Sequence, residues 1–119
     1  MKKILLGLTT VAAVITVPVS AVLAQYTFPR ERSHCTARLT AVNRDSRITL
    51  RSGPGTNYRR LGYGLVGDGV YMLTSSPPEL DYGKDAQGYV WYRVGFPGSG
   101  AKGWIREDFL NRQCRPMYD

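Results

Sequence analysis

The chain is poor in the residues that most enzyme and metal chemistry draws on. It has one histidine, His34, and two cysteines, Cys35 and Cys114, in 119 residues. No Cys/His cluster of zinc spacing exists, and neighbours such as His34 and Cys35 rarely build a nucleophile-base arrangement. Acidic residues are also scarce, nine against sixteen Lys and Arg, for a net charge of +7. A carboxylate pair drawn from Glu79, Asp81 and Asp85 would share its segment with Pro77 and Pro78, and nothing there signals the fixed geometry that acid/base work needs. Nor do Asp81, Gly83 and Asp85 make a calcium loop, because Gly83, Ala86 and Tyr92 stand where a ligand, the glycine and the closing Glu belong. At ~100 to 200 residues per domain there is no room for a catalytic domain beside a binding one. The expectation is one small domain that is not an enzyme and uses no metal or other cofactor.

Long apolar runs are missing too, except at the start. Met1, Lys2 and Lys3 precede an uncharged stretch over residues 4–24 that carries Pro18, Ser20 and Ala24 near its end. A positive start, an apolar core and small residues at the cut make an export signal, with cleavage expected after Ala24. The alternative is an uncleaved anchor, since ~20 apolar residues span a bilayer; the threonines and Pro18 dilute the stretch and favour removal. Cleavage leaves 95 residues and a net charge of +5. Export to a secreted or periplasmic location puts Cys35 and Cys114 in an oxidising space, where an even count in a small domain reads as one disulfide. Two free thiols or a bridge between chains are the alternatives. Residues 25–35 are polar and charged and read as a flexible leader, with the domain over 36–114.

Helical spacing is absent from the rest of the chain. Period-two alternation instead predicts strands over 37–42, 48–51, 60–65, 70–74, 89–94 and 103–106. Gly53, Pro54 and Gly55 mark a sharp turn; Gly67, Asp68 and Gly69 mark a tight hairpin; Pro97, Gly98, Ser99 and Gly100 mark another. The expected fold is all-β. In the fifth strand Tyr89, Trp91 and Arg93 share one face and Val90, Tyr92 and Val94 the other; the first face could line a shallow groove, or Trp91 could close the end of the core. Residues 74–88 are irregular, with Tyr82 as their candidate contact residue.

Residues 48–58, Ile-Thr-Leu-Arg-Ser-Gly-Pro-Gly-Thr-Asn-Tyr, closely resemble the first signature of the bacterial SH3-like (SH3b) domain family. Leu50 would enter the core, the glycines would permit the turn, and Thr56 or Asn57 would cap it through a side-chain hydrogen bond. Leu61, Gly62, Leu65, Gly69, Val70 and Leu73 continue the resemblance, followed by Trp91 to Val94 and by Gly103, Trp104, Ile105, Asp108, Phe109 and Leu110. The resemblance implies a small half-open barrel of five to six short strands, with a 3-10 turn before the last one. It also implies a targeting role, since many members hold exported proteins to cell-wall peptidoglycan or its cross-bridges and others bind proteins.

The reading is therefore a secreted binding module for peptidoglycan or its peptide parts. Tyr58, Tyr82, Tyr89 and Trp91 would form the groove, and Arg51, Asn57 and Arg93 would orient the ligand. The rival is an accessory module that docks on another exported protein through an edge strand or residues 74–88. Export argues against a nucleic-acid partner despite the arginines, and no stable membrane insertion is expected once the signal is removed.

Overall fold

The structure, a computed structural model, describes residues 30–116; the expected signal and the leader up to residue 29 lie outside the described residues. The elements are β1 (Arg32–Leu39), β2 (Arg47–Arg51), β3 (Arg60–Leu65), β4 (Gly69–Leu73), β5 (Tyr82–Lys84), β6 (Val90–Gly95), β7 (Lys102–Arg106), a single 3-10 turn (Glu107–Phe109) and β8 (Leu110–Cys114). All strands pair antiparallel in one eight-stranded sheet of order β3-β2-β7-β6-β4-β1-β8. The short β5 shares with β4 the edge of β6 that faces away from β7.

Eight strands replace the expected five to six, for identifiable reasons. β1 starts before Cys35 because Arg32 pairs with Leu73, and the Thr74 N–H donates to the Glu31 carbonyl at 2.7 Å. That strand ends at Leu39, so Val42, expected within it, stands fully exposed. β5 forms inside the segment read as irregular. β8 has a polar sequence with only Leu110 buried, yet it lies in register with β1 from Leu39↔Leu110 to Cys35↔Cys114. The last pair is covalent: Cys35 and Cys114 form the disulfide.

The turn at Gly67–Gly69 is not a hairpin between neighbours. β3 pairs only with β2, while β4 lies between β6 and β1. Asp68 instead closes the turn by bonding back to Leu65, and Gly67, at φ +96°, donates its N–H to the Leu39 carbonyl at 2.8 Å. The chain is thereby stitched to β1, at the far side of the sheet order. The Pro97–Gly100 connection is a true hairpin joining β6 to β7.

Alternation accounts for the core. Cys35, Ala37 and Leu39 of β1, Ile48 and Leu50 of β2, Val70 and Met72 of β4, Val94, Ile105 and Leu110 form one buried cluster, with Tyr92, Phe96 and Phe109 packed against it. Each contributing strand turns alternate residues inward, as a pleated sheet with one buried face requires. The sheet must curl for this to happen, because the inner face of β3 meets β1. A Cβ at Gly64 would strike the Leu39 side chain and lie 2.9 Å from the Phe96 ring. Nothing larger than glycine fits there.

That crowding inverts the usual pattern of β3. Leu61, Tyr63 and Leu65 sit on the outer face with 43, 52 and 50% of their surfaces exposed, while Gly64 alone of the strand is buried.

Candidate binding surface

The turn after β2 builds one end of the predicted site. Ser52 N–H donates to the Arg59 carbonyl at 2.9 Å, and Tyr58 N–H to the Gly55 carbonyl at 3.3 Å. The closure is main chain to main chain, in place of the side-chain cap expected from Thr56 or Asn57. The Tyr58 ring lies on Gly53, where a Cβ would come within 2.7 Å of its Cγ. Arg51 reaches over the turn and donates from Nη1 to the Tyr58 carbonyl at 3.1 Å.

Asp85 organises the facing loop. Its Oδ2 accepts the indole N–H of Trp91 at 2.9 Å, and its Oδ1 accepts the backbone N–H groups of Gln87 and Tyr89, each at 2.9 Å. The Trp91 hydrogen bond, the two backbone donors and the nearby Arg106 hold the Asp85 carboxyl below the ordinary carboxylate range, against the cost of burial. Gly83 and Gly55 let the two loops meet: a Cβ on Gly83 would lie 2.9 Å from Pro54, and one on Gly55 would approach both Asn57 and Asp85. Asn57, Tyr58, Tyr89 and Trp91 thus gather around the contact between Gly55 and Asp85, with Arg51 joined through Tyr58.

Trp91 is the floor of this surface rather than its wall. It is 4% exposed, with its one polar atom bonded to Asp85, whereas Tyr58 and Tyr89 are exposed. Tyr89 is capped by the Arg106 guanidinium, 4.3 Å from its ring centroid. Arg106 also donates twice to Asp108, at 2.6 and 2.8 Å, and this pairing raises the arginine's pKa and lowers that of the aspartate.

Two predicted residues stand apart. Arg93 is tied down, with Nε on Asp81 at 2.8 Å and Nη2 on Glu31 at 3.0 Å, while Lys102 completes the set with Glu31 at 2.9 Å. Glu31 is lowered chiefly by the Lys102 hydrogen bond. At Asp81 burial works upward, but hydrogen bonds from Ser75 and Arg93 prevail and lower it. Tyr82 is exposed on the other face of the sheet. It is the register partner of Tyr92, and their ring centroids are 6.4 Å apart. Directly opposed residues share a face, so the sheet itself separates Tyr82 from Trp91. Tyr82 therefore does not share a face with Trp91.

Sequence reasoning missed Trp104 as a site residue. It is the register partner of both Arg51 and Arg93, half-buried between two guanidinium-bearing strands on the same outer face as Trp91. It also missed two depressions on the outer face of β4-β1-β8. One, of about 500 Å³, includes Thr36, Arg38, Tyr71, Asn111 and Gln113; a second, of about 880 Å³, shares Thr36, Tyr71 and Gln113 with it. The alternation of polar residues in β1 and β8 was the available signal, obscured because β8 itself was not foreseen. His34, Cys35 and Cys114 bring ligand atoms within 4.8 Å of one another, but both sulfurs are spent in the disulfide.

A 62-residue stretch of the chain is 42% identical to part of a serine/threonine-protein kinase D from a Synechocystis strain, covering 52% of this chain and 11% of that protein. No protein-family model matches the chain, and no solved structure matches it significantly.

Proposed function

We propose that this chain is an exported, non-catalytic binding module of the SH3b type that holds cell-wall peptidoglycan or its peptide parts. A half-open barrel suits the curl that brings β3 against β1, and the 3-10 turn leads into the last strand as that family's plan requires. The Cys35–Cys114 disulfide suits an oxidising, extracytoplasmic compartment. The similarity to a small part of a much longer protein suits a portable unit.

One observation supports the reading: the Gly53–Tyr58 turn and the Asp85–Trp91 segment meet at Gly55 and Asp85, which brings the segments bearing Asn57, Tyr58, Tyr89 and Trp91 together, with Arg51 bonded to the Tyr58 carbonyl. Such a surface can stack on a ligand, donate hydrogen bonds and meet an acidic group. The Asp85 carboxylate accepts three hydrogen bonds, from Gln87, Tyr89 and Trp91, which suits a structural role for it at this surface.

The test is co-sedimentation with purified peptidoglycan. Tyr58→Ala combined with Tyr89→Ala should lower binding by about tenfold or more, as loss of aromatic anchors does, with the unfolding midpoint checked separately. Trp91→Ala is a poor substitute because it removes a buried side chain. Undiminished binding by the folded double variant would refute the assignment.

A further inference from the structure

β3 combines three features that the wall-binding surface does not use. Its outer face exposes Leu61, Tyr63 and Leu65, the apolar positions that the tight glycine interior turns outward. Among the described residues it is the end strand of the sheet, with β2 as its one strand partner. Leu65 directs its N–H and C=O to the Asp68 side chain and N–H, both on the side away from β2. Backbone direction repeats every two residues in an antiparallel strand, so the N–H and C=O of Tyr63 also face the open side. Leu61 falls at the irregularity between the Leu50 and Arg51 pairings and has no register partner.

The charge around this edge is predominantly positive. Residues 43–68 contain Arg44, Arg47, Arg51, Arg59 and Arg60 against Asp45 and Asp68, and the Asp68 carboxylate is bonded to the Leu65 N–H at the end of the strand. The ion pairs of the described residues lie elsewhere, on Arg93, Lys102, Arg106 and Arg112. Arg47 rests on the Tyr63 ring, 4.6 Å from its centroid, and extends the cationic rim along the apolar strip. A second copy of the chain is a poor occupant, since pairing β3 with β3 would bring two such rims together; like charge on an edge strand protects against self-pairing.

We propose that β3 is a docking edge for an extended segment of a partner protein that alternates acidic and apolar residues and adds to the sheet as an antiparallel strand. Tyr63 would supply the main-chain hydrogen bonds. Leu61, Tyr63 and Leu65 would take the apolar side chains, and the arginines would select for the acidic ones. The peptidoglycan surface proposed around Gly55 and Asp85 shares Arg51 with this edge, and the variants below leave Arg51 in place.

The experiment is an amide-resonance titration of the disulfide-bonded protein with a synthetic octapeptide of alternating valine and glutamate, beside the same peptide with lysine for glutamate. The expected result is saturable binding of the glutamate peptide alone, with the largest shifts at Leu61 to Leu65 and weakening as salt is raised. Tyr63→Pro removes the outward donor while sparing the ladder to β2, and should cost about tenfold or more in affinity. The double variant Arg47→Glu, Arg60→Glu should reverse the preference towards the lysine peptide, and it answers the question should the proline variant not fold. No binding of the glutamate peptide, equal binding of both peptides, shifts centred away from β3, or self-association along β3 would each overturn the proposal.

Discussion

Opening the disulfide between Cys35 and Cys114 is the most informative single perturbation of stability. The bridge closes a loop with a sequence separation of 79, for which the chain-entropy model gives about 4.5 kcal/mol of destabilisation on removal. A domain of about 90 residues has roughly 4 to 13 kcal/mol in total, so the bridge accounts for a third of the stability or more. With an m-value of about 1 to 1.5 kcal/mol/M in urea, the midpoint should fall by about 3 to 4.5 M. The assay is urea unfolding followed by tryptophan fluorescence, comparing the oxidised protein, the reduced protein and the variant Cys35→Ala, Cys114→Ala. Hydrogen exchange adds a local reading, because the register pairs from Leu39↔Leu110 to Thr36↔Gln113 hold β8 once the covalent link is gone, and β8 amides should lose protection first. A loss below about 1 kcal/mol would refute the argument, since β1 and β8 would then stay together in the unfolded ensemble or be held by the ladder alone.

Further expectations are narrower. Gly64→Ala should cost about 1 to 3 kcal/mol through overpacking against Leu39 and Phe96, whereas Gly62→Ala, with nothing near the added Cβ, should stay within about 0.5 kcal/mol of wild type; equal effects would contradict the inward placement of Gly64. Asp85→Ala should shift the Trp91 indole N–H resonance and speed its exchange with solvent, and an unchanged resonance would remove Asp85 as its acceptor. The lowered pKa values of Glu31, Asp81, Asp85 and Asp108 mean that the folded state binds fewer protons than the unfolded one. Their stabilisation is complete above about pH 4 to 5 and is lost as pH falls through the folded values; urea midpoints that do not decline from pH 5 to pH 2 would contradict it.

Much of the sheet was readable from alternation, and the misses share a physical origin. β2, β3, β4, β6 and β7 fall within a residue of the expected runs, and in β2 and β7 the buried positions recur every second residue. β8 escapes notice because only Leu110 of its five residues is buried, and its partner β1 is more than seventy residues away in sequence. Parity was harder to read than existence. In β3 the apolar residues point outward, because the curl of the sheet, a long-range property, leaves no room at Gly64. In the same way Tyr82 and Trp91 look like neighbours in a groove until the register of β5 on β6 puts them on opposite faces. Local chemistry was legible at Leu50 and in the Gly53–Gly55 turn. Arg93 was not, since its acidic partners Glu31 and Asp81 come from two distant segments.

The adjacency of β1 and β8 has an architectural consequence. Because the two strands run antiparallel and Arg115 donates its N–H to the His34 carbonyl at 2.9 Å, the two ends of the described sheet lie side by side. A sheet whose ends are neighbours can be set into an exposed loop of a larger polypeptide without forcing that loop apart.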